Sequence, residues 1–132
     1  MENTINKFDR TGIILYVTKY EACVDFYKNI LGLKILFDTK VLTCFEFGDA
    51  YLMVELDDEK PNDNELQRIK TCLRMNVSNV KYFAEKLSNH NIPVNYQEHS
   101  WGTIVKFFDP DGNLCAFKDT EKFEIQVNEF TK

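Results

Sequence analysis

GIILYVTKYEACVDFY, residues 12–27, has a counterpart in CLRMNVSNVKYFAEKL, residues 72–87, at an offset of 60. In each stretch apolar residues alternate and end in Val: Ile13, Leu15 and Val17 in the first, Leu73, Met75 and Val77 in the second. A period of two is the pattern of a half-buried strand. The period then changes. Tyr20, Cys23, Val24 and Tyr27, matched by Val80, Phe83, Ala84 and Leu87, follow the i, i+3, i+4, i+7 spacing of an amphipathic helix. Thr18 with Glu21 makes a T-x-x-E capping box, and Asn79 or Ser78 can cap the second helix. Gly32 stands where the first helix needs a left-handed residue to end, and Pro93 follows the end of the second.

Three strand-like runs follow each helix: 33–37, 41–47 and 51–56 in the first half, 94–97, 103–108 and 113–118 in the second. The last of these aligns at an offset of 61, because its hairpin is one residue longer. Each half therefore reads βαβββ. The chain is predicted to be an α+β protein in which two βαβββ modules form a curved mixed sheet around a cleft, with helices on the outside. The domain spans 9–119, with module one at 9–57, a polar, acidic, Pro-containing linker at 57–68 and module two at 69–119. Beyond it, in 120–132, Phe123, Ile125 and Val127 alternate, which predicts an extra strand covering an edge or pairing across a dimer.

Composition narrows the function classes. The 132 residues suit one domain with a real core. Sixteen basic against 21 acidic residues give a net charge of −5. Such a balance argues against sequence-independent nucleic-acid binding and favours neutral or cationic small partners. No apolar run reaches the roughly 18 residues of a membrane span, and the N-terminus lacks a secretory h-region. Cys23, Cys44, Cys72 and Cys115 show no C-x-x-C spacing, so they read as reduced thiols of a cytoplasmic protein.

Strand parity selects the cleft-facing residues, since those alternating with the helix-packing set must point the other way. Gly12, Ile14 and Tyr16, then Tyr51, Met53 and Glu55, come from the first half. Cys72, Arg74 and Asn76, then Leu114, Ala116 and Lys118, come from the second. Glu55 either orients a ligand or pairs with Arg74, while Arg74 has a planar fork suited to a carboxylate or phosphate. Cys72 reads as a nucleophile only if its thiol pKa is lowered, and otherwise as a small buried hydrophobe. Trp101 either stacks on a ligand at the lip or packs in a core or dimer interface. Asp109-Pro110-Asp111-Gly112 lacks the spacing of a calcium loop and is a turn.

Two segments carry a family resemblance. VTKYEACVDFYKNILGLKI, residues 17–35, is similar to the strand-helix segment ending FY-x-x-x-LG of the vicinal oxygen chelate superfamily. SWGTIVKFFDPDGNLCAF, residues 100–117, resembles that superfamily's WG followed by a DPDGN turn. Glyoxalase I, bleomycin-resistance proteins, extradiol dioxygenases and fosfomycin-resistance enzymes are members. In metal-using members four ligands, usually His or Gln with Glu, come from positions that fall here on Gly12, Glu55, Cys72 and Ala116. Three of the four lack the usual ligand types, so no metal and no cofactor are expected, and catalysis is not carried over. The resemblance then implies the bleomycin-resistance branch: a homodimer binding a small drug-like or metabolite ligand without metal. The expected ligand-binding residues are Tyr16, Tyr51, Met53, Glu55, Cys72, Arg74, Trp101 and Lys118. One alternative is a metal-dependent lyase, isomerase or dioxygenase whose site is rebuilt from Glu55 with non-equivalent ligands such as Cys72 or His99. Another is a dimeric interaction or sensory module without catalysis.

Overall fold

The computed structural model describes residues 7–57 and 70–131. Module one contains β1 (Arg10–Val17), α1 (Tyr20–Asp25) continued by a π-helical turn (Phe26–Ile30), β2 (Ile35–Asp38), β3 (Leu42–Phe47) and β4 (Ala50–Leu56). Module two repeats the order with β5 (Thr71–Val77), α2 (Val80–Asn89), β6 (Asn95–His99), β7 (Gly102–Phe108) and β8 (Leu114–Asp119). One eight-stranded sheet results, in the order β2-β3-β4-β1-β5-β8-β7-β6. It is open and curved. The first strands of the two modules meet antiparallel at its centre, with Gly12 opposite Arg74 and Ile14 opposite Cys72. Each also pairs in parallel with the last strand of its own module.

The two faces of the sheet bury different residues. On the convex side Val80, Phe83 and Ala84 of α2 pack on Val77, Val105 and Phe117, and the Phe83 and Phe117 rings stack 4.4 Å apart. Asn79 caps α2 by accepting the Tyr82 backbone N–H at 3.0 Å. The matching helix of module one departs from its pattern. Lys19 is its N-cap and contributes no side-chain cap, so the Thr18–Glu21 capping box does not form. None of its residues is fully buried, and it is tied to the sheet by a 2.6 Å hydrogen bond between the Tyr20 hydroxyl and Thr43. After Leu31, Gly32 adopts φ +77°, as a helix stop requires.

The C-terminal segment is a helix, α3 (Thr120–Phe130), and not the extra strand that its alternation suggested. Phe123 and Val127 satisfy i, i+4 as well as i, i+2, so periodicity alone was ambiguous. Asp119 decides it locally by accepting the Lys122 backbone N–H at 2.7 Å as an N-cap. Packing decides it globally, because Phe123 is fully buried and Val127 nearly so, while Ile125 stays exposed. The helix also lies on the concave side, unlike the other two. Its Phe123 ring packs against Tyr51 at 4.6 Å and Phe37 at 5.5 Å, joining a core with Ile14, Met53, Cys72 and Ala116. Arg10 of β1 donates to Glu124 at 2.7 Å and fastens the same helix. The expected linker at 57–68 lies, apart from Asp57, outside the described residues.

Candidate functional site

Strand parity puts one residue in two on the concave face. Where α3 does not cover that face, a cavity of about 460 Å³ remains. Tyr16, Met53, Glu55, Cys72, Arg74, Trp101 and Lys118 all line it. Tyr51 does not. It is fully buried beneath Phe123, and its hydroxyl donates to Asn76 Oδ1 and accepts from Arg74 Nε, both at 2.7 Å. The Asn76 Nδ2 group is buried with no partner. Tyr51 is therefore the support of the cavity wall, and Arg74 is the group it supports. The guanidinium carbon also lies 5.4 Å from the Tyr51 ring centroid and 5.8 Å from that of Phe123. Arg74 thus turns to two aromatic faces and a phenol.

Lys118 is the second fixed cation. It is 2% exposed, donates to the Trp101 carbonyl at 2.9 Å, and its ammonium lies 4.4 Å from the Trp101 ring centroid. The following residue, Gly102, has φ +139°, and a β-carbon there would strike the Lys118 ammonium and the Asp119 carboxylate. The glycine of the WG pair is what allows this close approach. Burial brings the Lys118 amine down to about 8; Asp119 opposes the shift, and Arg74 and Lys122 add to it. Trp101 itself is half exposed and stacks on His99 with centroids 4.4 Å apart, at the cavity edge.

Several lining residues were not singled out from the sequence: Gln97, Ile104, Lys106 and Gln126. The first three follow the same parity rule once it is extended to β6 and β7, where Gln97 pairs with Ile104, Ile104 with Lys118, and Lys106 with Ala116. Gln126 had no strand signal because it belongs to α3. With Lys106 included, the lining carries three cations, Arg74, Lys106 and Lys118, against one carboxylate, Glu55. The described lining is therefore cationic by two charges (three minus one) inside a chain of net charge −5. Total charge pointed to cationic partners; the local field points the other way.

Burial keeps two further lining groups, Tyr16 and Cys72, neutral. Burial raises the Tyr16 phenol well above its usual range, and Cys72 and Glu55 beside it add to the shift. Burial also pushes the Cys72 thiol up to about 11, although Arg74 draws it down. Its S–H donates to the Leu73 carbonyl at 3.6 Å. A thiol in that state is a packed hydrophobe and a poor nucleophile near neutral pH. The Asp109 turn is plain as well: Asp109 accepts from the Asn113 side chain at 2.8 Å and from its backbone N–H at 2.9 Å, and those bonds lower its pKa.

A family model described as the glyoxalase-like domain matches residues 10–120. The chain belongs to this family. Solved structures of the same fold include a glyoxalase/bleomycin resistance protein/dioxygenase superfamily member from Vibrio splendidus, with a TM-score of 0.64 and 14% identity over 83% of this chain and 97% of that one. Methylmalonyl-CoA epimerase from Mycobacterium tuberculosis has a TM-score of 0.65 and 12% identity, over 90% of this chain and 91% of its own. A Legionella pneumophila structure described as an NAD-dependent benzaldehyde dehydrogenase has a TM-score of 0.67 and 16% identity, over 83% and 97%. At such identities the likeness shows the fold alone.

The divalent ion of metal-using glyoxalase-like domains does not fit the described residues of this one. Position 12 is Gly, and its space is taken: a β-carbon there would meet Tyr51 Cε1 and lie 2.5 Å from Cδ1 and 2.6 Å from Cζ. Position 116 is a fully buried Ala, and position 72 a protonated thiol. Glu55 alone is a usual donor. Among the described residues no three His, Cys, Asp or Glu side chains come together, whereas such an ion needs about three protein ligands. Arg74 lies in register between these two positions, opposite Gly12 on β1 and Ala116 on β8.

Proposed function

We propose that this glyoxalase-like domain is a metal-independent binding protein for a small organic molecule, held in the cavity between the two modules. The observation that carries the reading is the pairing of an intact cavity with a dismantled donor set. About 460 Å³ is retained, within the roughly 300–1,000 Å³ of small-molecule sites. Its walls are apolar at Ile14, Leu42, Met53 and Ile104, with polar groups at fixed points. Meanwhile Gly12 and Ala116 contribute no donor atom at all. A cleft emptied of ligands yet filled by its own side chains would suggest an interaction module, but here α3 fills only the Tyr51 end. Homodimerisation and residence in the cytoplasm belong to this proposal as well, and the first is measured by light scattering on the purified chain.

Elemental analysis and a thermal-shift screen test the reading together. The purified protein is expected to carry no stoichiometric divalent metal, and aromatic or aliphatic ligands are expected to raise Tm equally with and without a chelator. Met53→Trp, which fills the cavity floor, is expected to abolish the shift. A stoichiometric ion whose removal also removes ligand binding would overturn the proposal in favour of a rebuilt metal site.

A further inference from the structure

We infer that the ligand of this cleft is a small organic oxyanion with an apolar body, its charged end gripped by Arg74 and balanced by Lys118. The inference rests on the binding function just proposed and adds the chemical class of the ligand.

Arg74 and Lys118 stand on one face of the adjacent parallel strands β5 and β8, where Arg74 pairs with Ala116 and Lys118 lies two residues further on. A strand separation of about 4.8 Å and a rise of about 3.3 Å per residue set their α-carbons about 8 Å apart. Both side chains turn into the same cavity. The described residues contain an ion pair between Arg10 and Glu124, and none that engages Arg74 or Lys118. Asp119 stands beside Lys118 and Glu55 lines the same cavity, yet the cations Arg74, Lys106 and Lys118 outnumber these two carboxylates, and a ligand anion would complete the balance. Arg74 is also oriented for that task. Its Nε is spent on the Tyr51 hydroxyl, which leaves both terminal amino groups as an end-on fork, the geometry that takes two oxygens at once. Lys118 spends one donor on the Trp101 carbonyl and keeps two.

The same residues show what occupies the positions where metal-using members hold an ion. Gly12 lets the Tyr51 ring lie across β1, Tyr51 holds the guanidinium, and Ala116 leaves space beside it. A covalently attached cation thus stands in register among positions that hold an ion in metal-using members. Lys106 extends the positive lining, and Ile14, Met53 and Ile104 offer the surface for the apolar body.

Calorimetric titration of the intact chain with four matched probes tests this: phenylacetate, phenyl phosphate, phenylacetamide and phenethylamine. At least one anion is expected to bind, with the amide about tenfold to a hundredfold weaker, the loss of one charge-assisted contact, and the amine weaker still. The stronger of the two anions assigns the headgroup as carboxylate or phosphate. Lys118→Met and Arg74→Gln should each lower anion affinity by about the same factor and amide affinity by much less. If either variant fails to fold, Lys106→Gln should still weaken the anion about threefold and the amide by less. Equal binding of amide, amine and anion, all blocked by Met53→Trp, would sink the oxyanion assignment and leave the binding function standing. Silence from all four probes would remove both.

Discussion

Replacing Gly12 by Ala tests the packing on which the cavity wall depends. The added methyl carbon would meet three atoms of the Tyr51 ring, two of them at 2.5 and 2.6 Å, where ordinary contacts begin at 3.4 Å. The ring must move by nearly 1 Å, and it is held on every side that could yield. Phe123 lies tilted against it at 4.6 Å, Arg74 donates to its hydroxyl, and that hydroxyl donates to Asn76. Overpacking of this kind costs about 1–3 kcal/mol. If the ring swings out, the Asn76 side-chain oxygen loses the Tyr51 hydroxyl while its Nδ2 already lacks a partner, a further penalty of about 1–3 kcal/mol. We expect Gly12→Ala to destabilise the chain by about 2–6 kcal/mol, a drop of about 1–4 M in the urea midpoint for a protein of this size. Tyr51→Ala removes the three atoms nearest the methyl, so Gly12→Ala should cost less than about 0.5 kcal/mol in that background. An unchanged midpoint for the single variant, or the same loss in both backgrounds, would refute the idea that Gly12 is small because Tyr51 lies on it.

Three other outcomes follow from the same packing and burial. Phe123→Ala should cost about 3–5 kcal/mol, the range for a fully buried aromatic, whereas Glu124→Gln should cost under about 1 kcal/mol because the Arg10–Glu124 pair is partly exposed; equal effects in urea denaturation would show that α3 is held by charge instead of by its apolar face. In the native protein a thiol reagent should modify the half-buried Cys23 quickly, with Cys44, Cys72 and Cys115 following only on unfolding; rapid labelling of Cys72 would reopen its reading as a nucleophile. Stability should pass through a maximum near pH 9. Between about pH 8 and 9 the unfolded chain still holds the Lys118 proton that the folded chain has released, so stability rises; Asp119, Arg74 and Lys122 are the charges acting on it. Above pH 9 the unfolded chain loses thiol protons that folded Cys44 and Cys72 keep until about 12 and 11, so stability falls. Lys118→Met should abolish the rise and keep the fall, and urea midpoints measured from pH 7 to 10.5 decide it.

Much of the fold was legible because the chain states it twice. A period of two ending at Val17 and at Val77, each followed by a helical stripe, is a local pattern that no long-range contact has to supply, and β1, β5, α1 and α2 follow it. Strand parity, likewise fixed by backbone geometry, identified the face on which Tyr16, Met53, Glu55, Cys72, Arg74 and Lys118 surround one cavity. Element ends drifted by a residue or two, and the capping box at Thr18 failed because the helix begins after Lys19.

Other features were settled only by tertiary contact. Phe123 and Val127 fit a strand and a helix equally well, and the choice came from a hydrophobic surface on Tyr51 and Phe37, which lie more than 70 residues earlier in the chain. Tyr51 had the parity of a ligand contact, yet the same helix buries it. The net charge of −5 gave no hint that Arg74, Lys106 and Lys118 converge, since a sum over the chain carries no position. Sequence by itself determined which side chains face the cleft, because alternation is a property of the strand. The folded chain decided which of them remain open to a ligand and what charge that ligand meets, because burial and electrostatic fields arise only when distant strands and α3 are brought together.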